Sequence, residues 1–166
     1  MLPDAPYDGV KIIDDTTTDH TLLLEQARAL VAGERDPVAV AANLSALLYA
    51  SLDDVNWAGF YFHRDGELIV GPFQGLPACV HIPLGKGVCG TAAAERRSLI
   101  VDDVHAFAGH IACDAASNAE LVVPLVDGDE LLGVIDIDSP RHGRFHAQDR
   151  ELLEAIAALY VDTVCR

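Results

Sequence analysis

Two predicted β-hairpins constrain the fold of this chain more than any other feature. The first covers residues 55–64 and 67–74 on either side of Asp65-Gly66, and the second covers residues 120–126 and 131–138 around Asp127-Gly128. Both show a two-residue periodicity rich in β-forming side chains, and an Asp-Gly pair favours a tight hairpin turn. Because hairpins join neighbouring strands in opposite directions, the pattern predicts an antiparallel sheet.

Helical segments precede and follow these hairpins. A first helix is predicted to begin at Thr18 or Asp19 and to end near Gly33, and a second to run from Asp36-Pro37 to about residue 50. The remaining pattern indicates short strands within residues 79–84 and 98–101, a short helix over 88–95 and a closing helix over 147–164. We therefore expect an α+β domain with about six antiparallel strands and helices packed on one side.

The length and the loops set the domain organisation. The chain has 166 residues, which suits one domain, so residues 1–17 are interpreted as an N-terminal arm and residues 18–166 as a single domain. The irregular segment 102–118 is long for a loop in a compact domain, and loops of this kind are usually functional.

The acidic charge excludes several classes of partner. The chain has 11 Lys and Arg against 26 Asp and Glu, a net charge of −15, so we expect no nucleic-acid binding and no binding to anionic membranes. The first residues lack the basic and apolar regions of a signal peptide, and the uncharged stretch 37–52 is short of a membrane span. We therefore expect a cytoplasmic protein whose cysteines are available for thiol chemistry.

Three cysteines lie in loops or at element ends and are candidates for such chemistry: Cys79, Cys89 and Cys113. A reactive thiolate needs a lowered pKa, which a helix N-terminus or a nearby cation provides. Cys89 lies at the start of a predicted helix, whereas Cys113 has His110 nearby but is followed by Asp114, an anion that raises a thiol pKa. Local sequence alone therefore favours Cys89 as the nucleophile, unless the cysteines are simply buried apolar side chains.

Acidic and aromatic side chains form a second candidate cluster. Asp136 and Asp138 lie two residues apart on a predicted strand and share one sheet face, and Glu120 opens the neighbouring strand. Such a patch could bind an ammonium group or supply protons, or could be a solvated strand end. Trp57 and Tyr61 share a face of the first hairpin, where they could enclose a small ligand or simply pack in the core.

Two other kinds of site are less compatible with the sequence. A metal site is not expected, because the available donors have irregular spacing without a Cys-x-x-Cys or His-x-x-x-His pair; they are Cys79, His81, Cys89, His105, His110 and Cys113. A phosphate loop at Gly85-Lys86-Gly87 is also disfavoured, because the order of its residues departs from the Walker motif.

Five stretches carry a resemblance to a known family: NWAGFYF (56–62), VGPFQGLPAC (70–79), IPLGKGVCGTAAA (82–94), DVHAFAGHIACDAASNAELVVPL (103–125) and GVIDIDSP with GRF (133–145). Together they closely resemble the free methionine-(R)-sulfoxide reductases, which are stand-alone GAF-domain enzymes. The resemblance implies a GAF fold and reduction of free L-methionine-(R)-sulfoxide to methionine. It also implies regeneration by thioredoxin without another cofactor, and a homodimer.

The resemblance assigns roles to the cysteines that differ from the local argument. It implies that Cys113 attacks the substrate, that the resulting sulfenic acid forms a disulfide with Cys79, and that Cys89 is auxiliary. It thereby overrides the helix-terminus argument for Cys89. Cys165 lies outside the family pattern and is interpreted as a bystander.

The same resemblance places the family's acidic and aromatic site residues on Glu120, Asp136, Asp138, Trp57 and Tyr61. Glu120 is the candidate acid, the two aspartates are candidates for holding the substrate ammonium, and the aromatic rings for enclosing its methyl group. The alternatives are a GAF module that senses a small ligand without chemistry, and a purely structural domain.

Overall fold

The computed structural model describes residues 19–111, 113 and 115–166. The predicted arm, residues 1–17, lies outside the described residues. Thr18, one of the two predicted starting points of the first helix, and Asp114, the predicted anionic neighbour of Cys113, also lie outside them.

The described residues form four α-helices: α1 (His20–Leu30), α2 (Pro37–Ser51), α3 (Gly87–Glu95) and α4 (Ala147–Cys165). Asp19 and Asp36 begin the first two helices, where each carboxylate accepts hydrogen bonds from two backbone N–H groups of the first turn. Pro37 occupies the first turn of α2, as predicted. None of these described helices combines the length and the apolar character needed to cross a membrane.

Six strands form one antiparallel sheet: β1 (Trp57–Arg64), β2 (Glu67–Gly75), β3 (His81–Pro83), β4 (Leu99–Val101), β5 (Ala119–Asp127) and β6 (Glu130–Ser139). The strand order is β3-β2-β1-β6-β5-β4. The two predicted hairpins are β1–β2 and β5–β6, and they pair with each other through β1 and β6. The predicted α+β class and GAF fold are confirmed.

The second hairpin turns one residue later than predicted. Asp127 still pairs with Glu130, so the two-residue loop is Gly128-Asp129 rather than Asp127-Gly128. The backbone of Gly128 has φ +59° and occupies the first central position of the loop, which a residue without a side chain adopts readily. In the first hairpin, Asp65 and Gly66 both have positive φ, as a type I′ turn requires.

The sheet separates two apolar clusters. On one face, α1, α2 and α4 pack against side chains such as Phe60, Leu121 and Ile135. On the other face, the short helix α3 packs against Tyr61 and Val134. The expectation of helices on one side therefore holds for the three long helices, while α3 covers the opposite face.

Alternation along β6 turns the acidic pair toward the α3 face. Ile135 and Ile137 are buried in the cluster under the long helices. Asp136 and Asp138 therefore face the side of the sheet that carries α3. The irregular segment predicted between β4 and β5 contains only a 3₁₀ turn, Val104–Ala106, among its described residues, and it closes over the same face.

Candidate active site

A cleft opens on the α3 face of the sheet, with about 530 Å³ of empty space including the part open to solvent. Strands β1, β5 and β6, helix α3 with the residue before it, the segment before β5, and the β2–β3 connection with β3 form its walls. Seven of the eight predicted site residues line it: Trp57, Tyr61, Cys89, Cys113, Glu120, Asp136 and Asp138. The eighth, Cys79, is covalently attached to the cleft through Cys113.

Cys79 and Cys113 form a disulfide bond. Their Cα atoms are 5.4 Å apart, although 34 positions separate them in the sequence. Cys79 precedes β3, and Cys113 lies in the segment between β4 and β5. The structure thus joins the two cysteines to which the resemblance assigned the attacking and resolving roles.

Cys89 lies in the first turn of α3 and is buried at the base of the cleft. Its Sγ donates a hydrogen bond to Glu120 Oε1 over 3.5 Å. Burial, followed by the nearby carboxylates of Asp136 and Glu120, raises the pKa of the Cys89 thiol well above its ordinary value. The prediction that the helix N-terminus lowers the pKa of Cys89 is therefore wrong, because burial outweighs the dipole of this nine-residue helix.

Glu120 and Asp136 are buried carboxyl groups, 7% and 5% exposed. Burial raises the pKa of both well above the ordinary carboxyl range, and the Asp138 charge adds to the rise for Glu120. Glu120 on β5 lies directly opposite Asp138 on β6. Buried acids with raised pKa values hold their protons to a higher pH than ordinary carboxyl groups do, and can donate them to a bound molecule.

One polar atom at this site has no described partner. Among the described residues, Asp136 Oδ1 is buried without a hydrogen-bond partner, although the Cys89 thiol and the Glu120 carboxyl interact with the Asp136 carboxyl group. Because Asp136 lines the cleft, a donor group on a bound molecule could satisfy this oxygen. Asp138, which is half-buried, lines the same cleft.

Stacked aromatic rings lie beside the acids on the same face of the sheet, where Trp57 on β1 pairs with Asp138 on β6. The Trp57 ring stacks on Tyr61 with centroids 5.7 Å apart and on Phe73 with centroids 5.1 Å apart. The Trp57 Nε1–H donates to the Leu76 carbonyl over 3.1 Å, which fixes the indole orientation. Both Trp57 and Tyr61 are 2% exposed, so each is at once a core residue and part of the cleft wall.

Gly59 gives these rings the space they need. A Cβ atom at this position would lie 2.3 Å from Phe73 Cβ and 2.7 Å from the Trp57 ring. Any larger residue would therefore displace the stacked pair.

Burial, followed by the charge of Asp136, raises the pKa of Tyr61, so its hydroxyl remains protonated.

Part of the cleft rim was not predicted from the sequence. Lys86, which immediately precedes α3, is exposed and is the one Lys or Arg among the described residues that line the cleft. The signal was the Gly85-Lys86-Gly87 motif, which was considered only as a phosphate loop. His110 also lines the cleft, and burial, followed by the nearby His105, lowers its pKa.

Three of these side chains place their potential ligand atoms close enough together to hold a metal ion. Cys89, Glu120 and Asp136 each place one ligand atom within 4.8 Å of the others. Only Cys89 of this set is among the six Cys and His donors named from the sequence. Another of those donors, His81, contacts Glu67, with 2.9 Å between Nδ1 and Oε1. A metal would have to displace the protons that burial stabilises on the trio.

Comparison with known proteins agrees with this geometry. Residues 13–161 match the GAF domain family. The chain is 55% identical over 130 residues to the free methionine-R-sulfoxide reductase of Escherichia coli, covering 78% of this chain and 79% of that protein. The structure is similar to the reduced form of the fRMsr of Staphylococcus aureus, with a TM-score of 0.87 and 53% identity over 90% of this chain and 97% of that one.

A structure with substrate is also similar. The free methionine-R-sulfoxide reductase of Neisseria meningitidis in complex with its substrate has a TM-score of 0.86 and 37% identity. The match covers 91% of each chain.

Proposed function

The chain belongs to the free methionine-R-sulfoxide reductases of the GAF-domain family, and from this premise we propose a mechanism in which Cys113 reduces free L-methionine-(R)-sulfoxide. The protein is thus an oxidoreductase. The observation that carries the mechanism is the Cys79–Cys113 disulfide beside a cleft of buried acids.

The reaction begins when the Cys113 thiolate attacks the sulfoxide sulfur. An acid protonates the sulfoxide oxygen, methionine leaves, and the oxygen stays on Cys113 as a sulfenic acid. The Cys79 thiol then attacks the Cys113 sulfur, which releases the oxygen as water and forms the disulfide. The cysteines lose two electrons, and the substrate gains them.

Glu120 is the proposed acid. Burial and the charge of Asp138 raise its pKa, so the side chain carries a proton when substrate binds. The hydrogen bond from Cys89 keeps the Glu120 carboxyl beside α3, which gives Cys89 a positioning role. General acid catalysis suits this step because the oxygen gains negative charge as the sulfur is attacked.

Asp136 and Asp138 are proposed to bind the substrate ammonium group. The buried Asp136 Oδ1, without a described partner, is an acceptor that an ammonium group could satisfy. A residue inside a peptide has no ammonium group and would leave the buried acid unpaired, which explains selectivity for the free amino acid.

Other cleft residues are proposed to contact the S-methyl group and the carboxylate of the substrate. Trp57 and Tyr61 enclose the S-methyl group with their stacked rings. Lys86 at the rim can pair with the substrate carboxylate. It is the one Lys or Arg among the described lining residues, and the carboxyl groups of the cleft would repel that anion. The substrate is therefore held as a zwitterion, with its cation toward β6 and its anion toward α3.

Thioredoxin is the proposed reductant of the Cys79–Cys113 disulfide, by thiol–disulfide exchange. The two cysteines supply the electrons directly, so the mechanism needs no metal or organic cofactor. We expect a homodimer in the cytoplasm, as the resemblance implies, and sedimentation analysis tests the assembly.

The test is NADPH consumption with thioredoxin and thioredoxin reductase. We expect turnover with free L-methionine-(R)-sulfoxide, and none with the S epimer or with the N-acetylated R epimer. Cys113→Ser should abolish turnover, whereas Cys165→Ser, which removes an exposed free cysteine at the end of α4, should leave it unchanged. Binding of the sulfoxide without turnover by the reduced protein would instead support a ligand sensor.

A further inference from the structure

Exposed apolar side chains flank one partner of the disulfide. Leu76 is 62% exposed and Val80 is 53% exposed, and both lie within three residues of Cys79. The exposed large apolar residues of the described chain are Val38, Tyr49, Leu76 and Val80. Half of this small group therefore lies beside Cys79, together with the exposed Pro77.

The surrounding segment is also free of charged residues. Residues 68–85 contain no Asp, Glu, Lys or Arg, although the whole chain has a net charge of −15. The disulfide thus lies beside an apolar window of the chain that carries no Asp, Glu, Lys or Arg, and whose His81 pairs with Glu67, in an otherwise strongly acidic protein. Such a window favours contact with another protein surface, because exposed apolar side chains are stabilised when they are removed from water.

The two sulfur atoms of the disulfide have different surroundings. Both cysteines are partly exposed, but only Cys113 lines the cleft, whereas Cys79 lies in the segment that carries Leu76 and Val80 and that borders the cleft through Pro77. Another protein that binds to the exposed Leu76 and Val80 side chains approaches the disulfide from the side of this segment. From that side it meets Cys79.

We propose that the surface formed by Leu76, Pro77 and Val80 is the docking site of the protein dithiol that reduces this enzyme, and that the dithiol attacks Cys79 rather than Cys113. This inference rests on the proposed function, in which the disulfide forms in each turnover. A second copy of this chain on the same surface would cover Cys79 and obstruct its reduction.

The exchange balances in two steps. The thiolate of the reductant forms a bond to Cys79 Sγ, the Cys79–Cys113 bond breaks, and Cys113 leaves as a thiolate into the cleft. The second thiol of the reductant then attacks its own partner sulfur, and Cys79 leaves as a thiolate that takes up a proton. The reductant is oxidised to a disulfide, and Cys113 is regenerated in the form that attacks substrate.

The experiment measures how fast the oxidised enzyme is reduced, without substrate. Oxidised wild type, the double variant Leu76→Ser/Val80→Ser and the control Val38→Ser are mixed with reduced thioredoxin or with dithiothreitol. Samples are quenched in acid, alkylated and analysed by mass spectrometry. We expect the double variant to react with thioredoxin about tenfold more slowly, with an unchanged rate for dithiothreitol and unchanged rates for Val38→Ser.

A trapping experiment identifies the attacked sulfur. Thioredoxin whose second active-site cysteine is replaced by Ser stops at the mixed disulfide, and peptide mapping should find it on Cys79. Attachment to Cys113, or equal thioredoxin rates in the double variant and wild type, would overturn the proposal. So would equal slowing with both reductants, or a change in oligomeric state in sedimentation of the double variant.

A single-turnover assay separates this inference from the proposed function. The pre-reduced double variant should convert free methionine-(R)-sulfoxide at the wild-type rate. If the pre-reduced wild type forms no methionine, the proposed function fails, whatever the reduction rates show.

Discussion

At the scale of single residues, the proposed chemistry depends on protons held by buried acids. Glu120 and Asp136 come from neighbouring strands, and burial raises the pKa of both. The active form of an acid catalyst is its protonated form, so a raised pKa extends activity toward higher pH. The same burial keeps Cys89 protonated, which makes it a hydrogen-bond donor rather than a nucleophile.

The role of Glu120 predicts a pH dependence. The single-turnover rate of the reduced enzyme should fall as pH rises through the raised pKa of Glu120, because the acid loses its proton. Glu120→Gln should lower the rate by about 10²–10⁴-fold and remove this alkaline fall. Quench-flow measurement of methionine between about pH 5 and pH 9 tests this, with exposed Glu95→Gln as the control. An alkaline fall that persists in Glu120→Gln would assign the acid to another group.

The role of Asp138 predicts a change in substrate affinity. Asp138→Asn keeps the shape of the side chain but removes the charge that we propose to bind the substrate ammonium. We expect KM for free methionine-(R)-sulfoxide to rise about tenfold or more, since hydrogen bonds to charged groups contribute about 1.5–3 kcal/mol. Asp129→Asn, in the distant β5–β6 turn, is the matched control. An unchanged KM would remove Asp138 from the ammonium site.

Several of these residue positions follow from the sequence, and others do not. Strand alternation alone places Asp136 with Asp138 and Trp57 with Tyr61, because a period of two fixes which side chains share a face. The pKa of Cys89 could not be predicted locally, because it is raised first by burial in the tertiary structure and then by groups on β5 and β6, more than 30 residues away in the chain. The Cys79–Cys113 pairing came only from the family resemblance.

At the scale of elements, the position of α3 decides whether Cys89 reaches Glu120. Gly90 lies next to Cys89, and its Cβ position is only 2.4 Å from the Pro83 carbonyl oxygen. The Gly90 carbonyl also accepts a hydrogen bond of 2.7 Å from the Gly85 N–H. Close backbone contact therefore holds the start of α3 against β3.

This contact makes Gly90→Ala informative. In an ordinary helix the change is stabilising by about 1 kcal/mol. Here we expect the free energy of unfolding to fall by about 1–3 kcal/mol, because the added methyl group forces α3 away from Pro83. We also expect a lower single-turnover rate, as Cys89 and Glu120 move apart. Chemical denaturation and the turnover assay test both, with Ala94→Ser on the exposed face of α3 as the control; a stabilised, fully active variant would contradict the account.

The hairpins show how far local patterns reach. Their strands and the caps of α1 and α2 were predictable because each depends on residues close in sequence. The one-residue shift of the second turn arises because Gly128, with its positive φ, takes the first loop position. The placement of α3 on the opposite face could not be read from its nine residues, since it depends on which side of the sheet the β3–β4 connection crosses.

At the scale of the whole molecule, the sheet separates the larger apolar cluster, which stabilises the fold, from the cleft proposed to carry the reaction. The larger apolar cluster lies under α1, α2 and α4, and the cleft lies on the other face with α3. A change deep in the larger cluster should therefore affect folding much more than the reaction.

Leu153→Ala tests this separation. Leu153 is fully buried in α4 on the face away from the cleft. We expect a loss of about 2–5 kcal/mol in the free energy of unfolding, because the change removes buried methyl groups and leaves a cavity. KM and the single-turnover rate should change less than about twofold while the protein remains folded. Exposed Glu151→Ala on the same helix is the control, and a large change in KM with Leu153→Ala would show that the two faces are coupled.

The most direct test of the central claim is one turnover without a reductant. Reduced enzyme is mixed with excess free L-methionine-(R)-sulfoxide, and methionine and cysteine oxidation are measured together by mass spectrometry. The account predicts one methionine for each Cys79–Cys113 disulfide formed. In Cys79→Ser it predicts one methionine and a sulfenic acid on Cys113 that dimedone captures. Methionine formation by Cys113→Ser, or dimedone labelling of Cys89 instead of Cys113, would contradict it.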